Sequence, residues 1–302
     1  MIVLVSGLIN IETTLKVDRF PIDYAPVRYP FFGVNSTVSG VGYNVAKALT
    51  TLGEAVRLVS MIGTDAAGTL ARTALTADGI AGDHVLDLLD HTPQSVILYD
   101  DSGVRMINVD LKDIQDRAYP VEQFEGAIAG CSLAVLCNIN FSRPFLAKTK
   151  AAGVTIATDV HTIGDLDDDY NRDFMAQADL LFMSDEHLPC SPEKWAQQAQ
   201  DRYGNPIIVI GLGAAGALLA VKDDDFMERV AALKLRKVVN TIGAGDALFS
   251  AFVHSYRQEG DPYSAIKKAT LFASYKIGEA GAAAGFLDRE RLDRFYRAIY
   301  RS

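Results

Sequence analysis

The stretch Val238–Tyr256, VVNTIGAGDALFSAFVHSY, places one carboxylate, Asp246, directly after Gly243, Ala244 and Gly245. Leu248, Ala251, Phe252 and Ser255 fall on one helical face, so a helix is expected to start near Asp246. The small residues then bring their N–H groups to its positive end, where an anion can approach the backbone. An aspartate there is ordinarily an N-cap. A cap alone does not account for three small residues before it. An anion beside a carboxylate is repulsive unless the carboxylate has a proton to take. The pattern therefore points to phosphoryl transfer, with Asp246 as base towards an acceptor hydroxyl. The amides of Gly243, Ala244 and Gly245 would form the anion hole.

Two further glycine-rich stretches bear on this chemistry. SGVGYNVAKALTTLG (Ser39–Gly53) runs from Gly40 and Gly42 into a helix with Asn44 in its first turn. Glycines there let a ligand reach the backbone, and an Asn side chain both donates to and accepts from hydroxyls. The plainer reading is a glycine loop whose Asn satisfies its own helix end. GLGAAG (Gly211–Gly216) matches the dinucleotide fingerprint literally, but that fingerprint needs a following helix. ALLAVKDDD follows instead, a strand and a turn, so a nicotinamide oxidoreductase is disfavoured and a ligand-facing turn between strands is expected.

Other chemistries lack their residues. There is no G-x-x-x-x-G-K-[ST], no G-x-S-x-G and no H-E-x-x-H, and His84, His91, His161, His187 and His254 lack metal-ligand spacing, so no metal cluster is expected. Cys131, Cys137 and Cys190 are too few and irregular for a disulfide framework, which suits reduced thiols and a cytoplasmic location. A net charge of −9 without a basic block argues against nucleic acid. No window of 18 consecutive apolar residues is present, and the N-terminus lacks a signal peptide's positive flank, so no membrane association is expected.

The elements that must position these residues follow from periodicity. Short apolar runs at Ile2–Val5, Val56–Met61, Leu133–Cys137, Val154–Thr158, Leu180–Met183 and Ile207–Ile210 suit strands buried on both faces. Amphipathic stretches between them, such as Val45, Ala48, Leu49 and Leu52 before Gly53, complete an α/β pattern with a mainly parallel sheet. Residues 11–38 are rich in β-formers and proline. Residues 94–109 hold two strand-like runs around Asp-Asp-Ser-Gly. Together they are expected to form a small projecting sheet. The core would then comprise residues 1–10, 39–93 and 110–302, and the lid residues 11–38 and 94–109.

In order and context these motifs resemble the ribokinase family, the PfkB carbohydrate kinases. NTIGAGDALFSAF is similar to its C-terminal signature and SGVGYNVAKALTTLG to its N-terminal one, with GTDAAG (Gly63–Gly68) and DGI (Asp78–Ile80) between. The resemblance implies a three-layer α/β/α sandwich with a β-sheet lid that often forms a homodimer contact. It implies ATP and Mg²⁺, with transfer to a hydroxymethyl group of a small sugar or nucleoside. By position, Asp246 would be the base, and Asn10, Glu12, Gly40, Gly42 and Asn44 would meet substrate. Gly213 and Gly216 would border the nucleotide. Asp185 to Leu188 would occupy the N-x-x-E position tied to Mg²⁺ and phosphates, with no carboxylate at Leu188 and Glu186 as the nearest substitute. Glu12 replaces the usual aspartate, and Val41 stands where ribokinases proper often show lysine. Asn240 replaces an aspartate that helps hold potassium in activated members, which counts against K⁺ here. GVGYN (Gly40–Asn44) and CNIN (Cys137–Asn140) look somewhat like pseudouridine kinases, with Asn138 or Asn140 facing the ligand, so a nucleoside kinase is the alternative. A non-catalytic ligand sensor on the same scaffold is a lesser one.

Overall fold

The buried apolar runs assemble into one nine-stranded sheet. The structure is a computed structural model in which residues 2–300 are described. The strands are β1 (Ile2–Ser6), β4 (Ala55–Gly63), β5 (Val85–Leu89), β8 (Cys131–Leu136), β9 (Thr155–Thr162), β10 (Leu180–Ser184), β11 (Ile207–Gly211), β12 (Ala217–Val221) and β13 (Phe226–Val230). Their order is β13-β12-β11-β10-β9-β8-β1-β4-β5, all running the same way except β12, which is antiparallel to both β11 and β13. All six apolar runs picked out by sequence are strands. β5 was not among them, because Asp87 interrupts its apolar run.

Alternation along each strand feeds two separate cores. Val3 and Val5 point into one, Leu4 into the other, and all three are fully buried. The first core lies under α1 (Val41–Thr51), α2 (Ala66–Ala77), α7 (Ala244–Glu259), α8 (Pro262–Lys276) and α9 (Arg289–Tyr300). The second is filled by Phe124, Phe145, Phe174 and Trp195 from α3 (Val121–Ile128), α4 (Phe145–Ala151), α5 (Arg172–Gln177) and α6 (Pro192–Tyr203). Helices on both faces of a parallel sheet make the expected three-layer sandwich. Glu54, just beyond α1, locks this helix to α7. Its buried carboxylate accepts from His254 at 2.6 Å, from Gln258 at 2.9 Å and from Arg257.

The chain enters at β1 in mid-sheet, moves to β4 and β5, then returns to β8 on the other side. This reversal is a topological switch point, where open α/β sheets place a ligand crevice beyond the carboxyl ends of the strands.

Over that crevice lies a four-stranded sheet in the order β3-β2-β6-β7, with β2 (Asn10–Lys16), β3 (Val34–Ser39), β6 (Gln94–Tyr99) and β7 (Arg105–Asp110). The Asp-Asp-Ser-Gly hairpin forms as expected. Asp100 Oδ1 accepts from Ser102 N at 2.9 Å and Val104 N at 3.1 Å. Within residues 11–38, β2 and β3 supply the strands of this sheet. Residues 17–33 are irregular, because Pro21, Pro26 and Pro30 supply no ladder donors.

Candidate active site

Asp246 is the third residue of α7, which begins at Ala244, two residues earlier than its apolar face suggests. Gly243 is the cap residue, at φ 74°, and a Cβ there would lie 2.4 Å from Ala282 O. Only glycine fits a left-handed turn pressed so closely on another backbone. Ala244 N donates to Thr241 O at 3.2 Å, so one of the three expected anion-hole amides is already engaged. Gly245 stands open, with nothing within 4 Å of the place a Cβ would take. First-turn amides have no intrahelical carbonyl to meet, so those of Gly245 and Asp246 lie at the positive helix end.

The carboxylate does not cap its helix. Asp246 Oδ2 accepts from Asn44 Nδ2 at 2.7 Å. The Ser39 hydroxyl lies within donating distance of Asn44 Oδ1 at 3.3 Å and Glu12 Oε2 at 3.0 Å. The path Glu12–Ser39–Asn44–Asp246 thus joins lid strands β2 and β3 to α1 and α7. Asn10, on the same face of β2 as Glu12, donates from Nδ2 to Ser95 Oγ at 3.1 Å. Asn10 Oδ1 and Glu12 Oε1 are buried without a partner. An orphaned buried acceptor costs about 1–3 kcal/mol. Two of them side by side call for hydroxyl donors from a ligand.

Charge in the site is mostly negative and poorly solvated. Burial raises the Asp246 carboxyl pKa, assisted by the Asp159 charge and opposed by the Asn44 hydrogen bond, His161 and Lys276. Burial also raises that of Glu12, with Asp246 adding to it and Ser39, Lys276 and, least, the Ala282 backbone N–H working against it. Lys276, the last residue of α8, is fully buried, and its Nζ donates to Ile242 O. Burial lowers its pKa to about 8, although Asp246 and Glu12 pull the other way.

Sequence reading missed Asp159 and His161, at the carboxyl end of β9. His161 has φ 59°, its N–H donates to Asp159 Oδ1 at 2.8 Å, and its Nδ1 is 3.5 Å from Asp159 Oδ2. The signal was present as polar residues closing an apolar strand at the switch-point side of the sheet. Arg105 of β7 was also missed. It donates to Thr241 Oγ1 at 3.2 Å and approaches Glu186 at 3.8 Å. The lid is further seated by Ile97 of β6, which packs on Ile242 and Ala282.

Several expected residues do something different locally. A Cβ on Gly40 would meet Leu8 O at 2.5 Å and one on Gly42 the Gly7 carbonyl carbon at 2.4 Å. Their small size lets α1 pack on the β1–β2 connection. A Cβ on Gly216 would lie 2.0 Å from Val230 O, so that glycine serves the contact with β13, while Gly213 is open. Asp185 is exposed beyond β10, its N–H donating to Gly211 O at 3.0 Å. Glu186 extends towards Arg105. Asn140 is tied to Gln115, through its N–H to Oε1 and its Nδ2 to the carbonyl, both at 3.1 Å. Asn138 Nδ2 donates to Asn171 Oδ1 at 3.0 Å. No group of three or more His, Cys, Asp or Glu side chains able to hold a metal occurs among the described residues. No helix among them is long and apolar enough to cross a membrane.

A doubly covered parallel sheet, a lid over its switch point and a carboxylate at a helix N-terminus define a ribokinase-like kinase. The pfkB family carbohydrate kinase profile matches residues 2–289, and the chain belongs to that family. It is an ATP-dependent sugar or nucleoside kinase. It is 27% identical over 288 residues to an ATP-dependent ribose-1-phosphate kinase of Halopiger xanaduensis, covering 93% of each chain. It is 25% identical over 295 residues to the acarbose 7(IV)-phosphotransferase of an Actinoplanes species, covering 97% of each. Among solved structures, a microbiome-derived acarbose kinase superposes with a TM-score of 0.87 at 25% identity over 98% of both chains. A Burkholderia thailandensis nucleoside kinase bound to inosine shares the fold, with a TM-score of 0.79 at 19% identity over 99% of both.

Proposed function

We propose that this chain transfers the γ-phosphate of ATP to a hydroxymethyl group of a small, uncharged sugar. Asp246 takes the acceptor hydroxyl's proton, and the first-turn amides of α7, Gly245 foremost, receive the transferred charge. The observation that carries the acceptor class is the pair of orphaned buried acceptors, Asn10 Oδ1 and Glu12 Oε1, beside the Asp246 network. Sugar hydroxyls supply the missing donors. Glu12, Asp159 and Asp246 outnumber the opposing Lys276 and His161, so the balance of charge disfavours an acceptor that already carries phosphate. Asn138 and Asn140 are engaged with Asn171 and Gln115, which weighs against either of them meeting a nucleobase.

ATP enters as its Mg²⁺ complex. The exposed Asp185 would be the residue to help hold such a metal. Glu186, drawn to Arg105, and Leu188 offer it no second carboxylate. ADP release measured against ribose, deoxyribose, ribose 1-phosphate, acarbose, inosine and pseudouridine tests the reading. Turnover with a neutral sugar is expected. Preference for ribose 1-phosphate or a nucleoside would overturn the acceptor class, and acceptor binding without any ADP release would favour a sensor.

The chain also acts as a homodimer through the outer lid face. Opposite the Glu12 face, strand alternation lines up Val34, Ile11, Leu15, Val96, Leu98 and Met106 around the Thr13–Ser36 pair. Val34 is 57%, Val96 44% and Met106 49% exposed. A contiguous apolar sheet face left in water is costly, and a second copy covers it. Sedimentation is expected to show twice the 32.7 kDa chain mass, and Met106→Asp to shift it towards monomer. A wild-type monomer at micromolar concentration sinks this assignment.

A further inference from the structure

Lys276 is a fully buried titratable group beside the site whose role the transfer chemistry leaves open. Its side chain is fully buried at the end of α8 and forms no ion pair among the described residues. Its hydrogen bond goes to Ile242 O, in the turn that leads into α7. Beyond the Arg105 contact to Thr241, that turn is held by neutral contacts. Ile242 N donates to Asn240 Oδ1 at 3.2 Å, and Val239 N donates to Ile277 O at 2.8 Å. Two residues after Asn240 there is thus a backbone carbonyl directed at a buried positive charge. Asp246 and Glu12 are the charged groups that feel this ammonium.

Burying an unpaired ammonium is expensive, and a lysine at a helix end ordinarily extends into water. This one stays inside because a carbonyl and two carboxylates face it. A cation bound at Ile242 O would occupy the place of Nζ and be repelled by it. The uncharged Asn240 offers no carboxylate to offset that repulsion. The residues present therefore do not fit a potassium ion.

We propose that Lys276 is a tethered cation of the transfer site. It fixes the Asn240–Gly243 turn through Ile242 O, as a bound monovalent ion would, so that phosphoryl transfer by this chain needs no potassium. The proposal rests on reading Asp246 as the phosphoryl-transfer base. Lys276 is a positioning residue: it acts on the turn and on the charge balance of Asp246.

The test compares wild type with Lys276→Met and Lys276→Ala in KCl and in choline chloride, each at about 0.1 M so that screening is equal. Wild type is expected to melt at the same temperature in both salts and to turn over its panel acceptor equally fast. Lys276→Ala should lose about tenfold in kcat, as loss of a supporting residue commonly does. It should recover on addition of methylammonium, which fills the vacated space with the missing charge. Lys276→Met, which keeps the apolar stem, should melt higher in KCl than in choline chloride. A potassium-dependent melting temperature or rate in wild type overturns the proposal. So does a Lys276→Met protein whose melting is indifferent to KCl. The melting comparison needs no acceptor. If wild type turned over no sugar or nucleoside in either salt, that would count against the kinase reading and leave this result standing separately.

Discussion

Asp246→Asn is expected to lower kcat by about 10²–10⁴-fold, the usual worth of a general base, while ATP affinity stays near wild type. The Asn cannot accept the proton that leaves the acceptor hydroxyl. Calorimetric ATP binding beside ADP release separates the two effects, and near-normal turnover by the variant would remove Asp246 from the role of base. The same residue should set the acid limb of the pH profile. Burial raises its pKa, so kcat/KM should climb with unit slope through a midpoint above the ordinary carboxylate range. Stability should move the other way. Between the unfolded and the raised folded pKa the folded chain binds the proton more tightly, so this group's contribution falls as pH rises through that window. Asn carries no charge to desolvate. The inactive variant is therefore expected to melt at or above the wild-type temperature at neutral pH, as scanning calorimetry would show.

Gly243→Ala should be the most damaging small change in the turn. Its Cβ would be placed 2.4 Å from Ala282 O and 2.8 Å from Ala282 Cα, at a residue held at φ 74°. Strain of this kind costs about 1–3 kcal/mol. The only relief is to move the turn away from residue 282, which carries the α7 amides with it. Both melting temperature and kcat should fall. Gly245→Ala is the control, since its Cβ meets nothing and the residue is already helical, so it should fold as wild type does. A Gly243→Ala protein with wild-type melting and turnover would show that the tight turn is dispensable.

The sheet was readable in sequence because strands buried on both faces are nearly continuous apolar runs. The Asp246 turn was readable because a helix cap alone does not need three small residues before its carboxylate. What escaped were contacts made at long range. Gly40, Gly42 and Gly216 look like ligand-facing glycines, yet the atoms that would crowd a Cβ belong to Leu8, Gly7 and Val230. The start of α7 was misplaced because Asp246 bonds to Asn44, 202 residues away, and leaves its own helix uncapped. Lys276 ends an unremarkable helical run, and nothing local shows that its ammonium turns inward. Arg105 reads as a strand residue of a hairpin until Thr241 and Glu186 appear beside it.

The contact of Ile97 with Ile242 and Ala282 has a mechanical meaning. The wall beside that turn belongs to the lid, so under the proposed reading a lid raised to admit sugar would take the wall away. Access and competence would then lie along a single coordinate. With the site open to water, the turn proposed to gather phosphate charge would lack one of its supports, and it would regain that support once the acceptor had been enclosed.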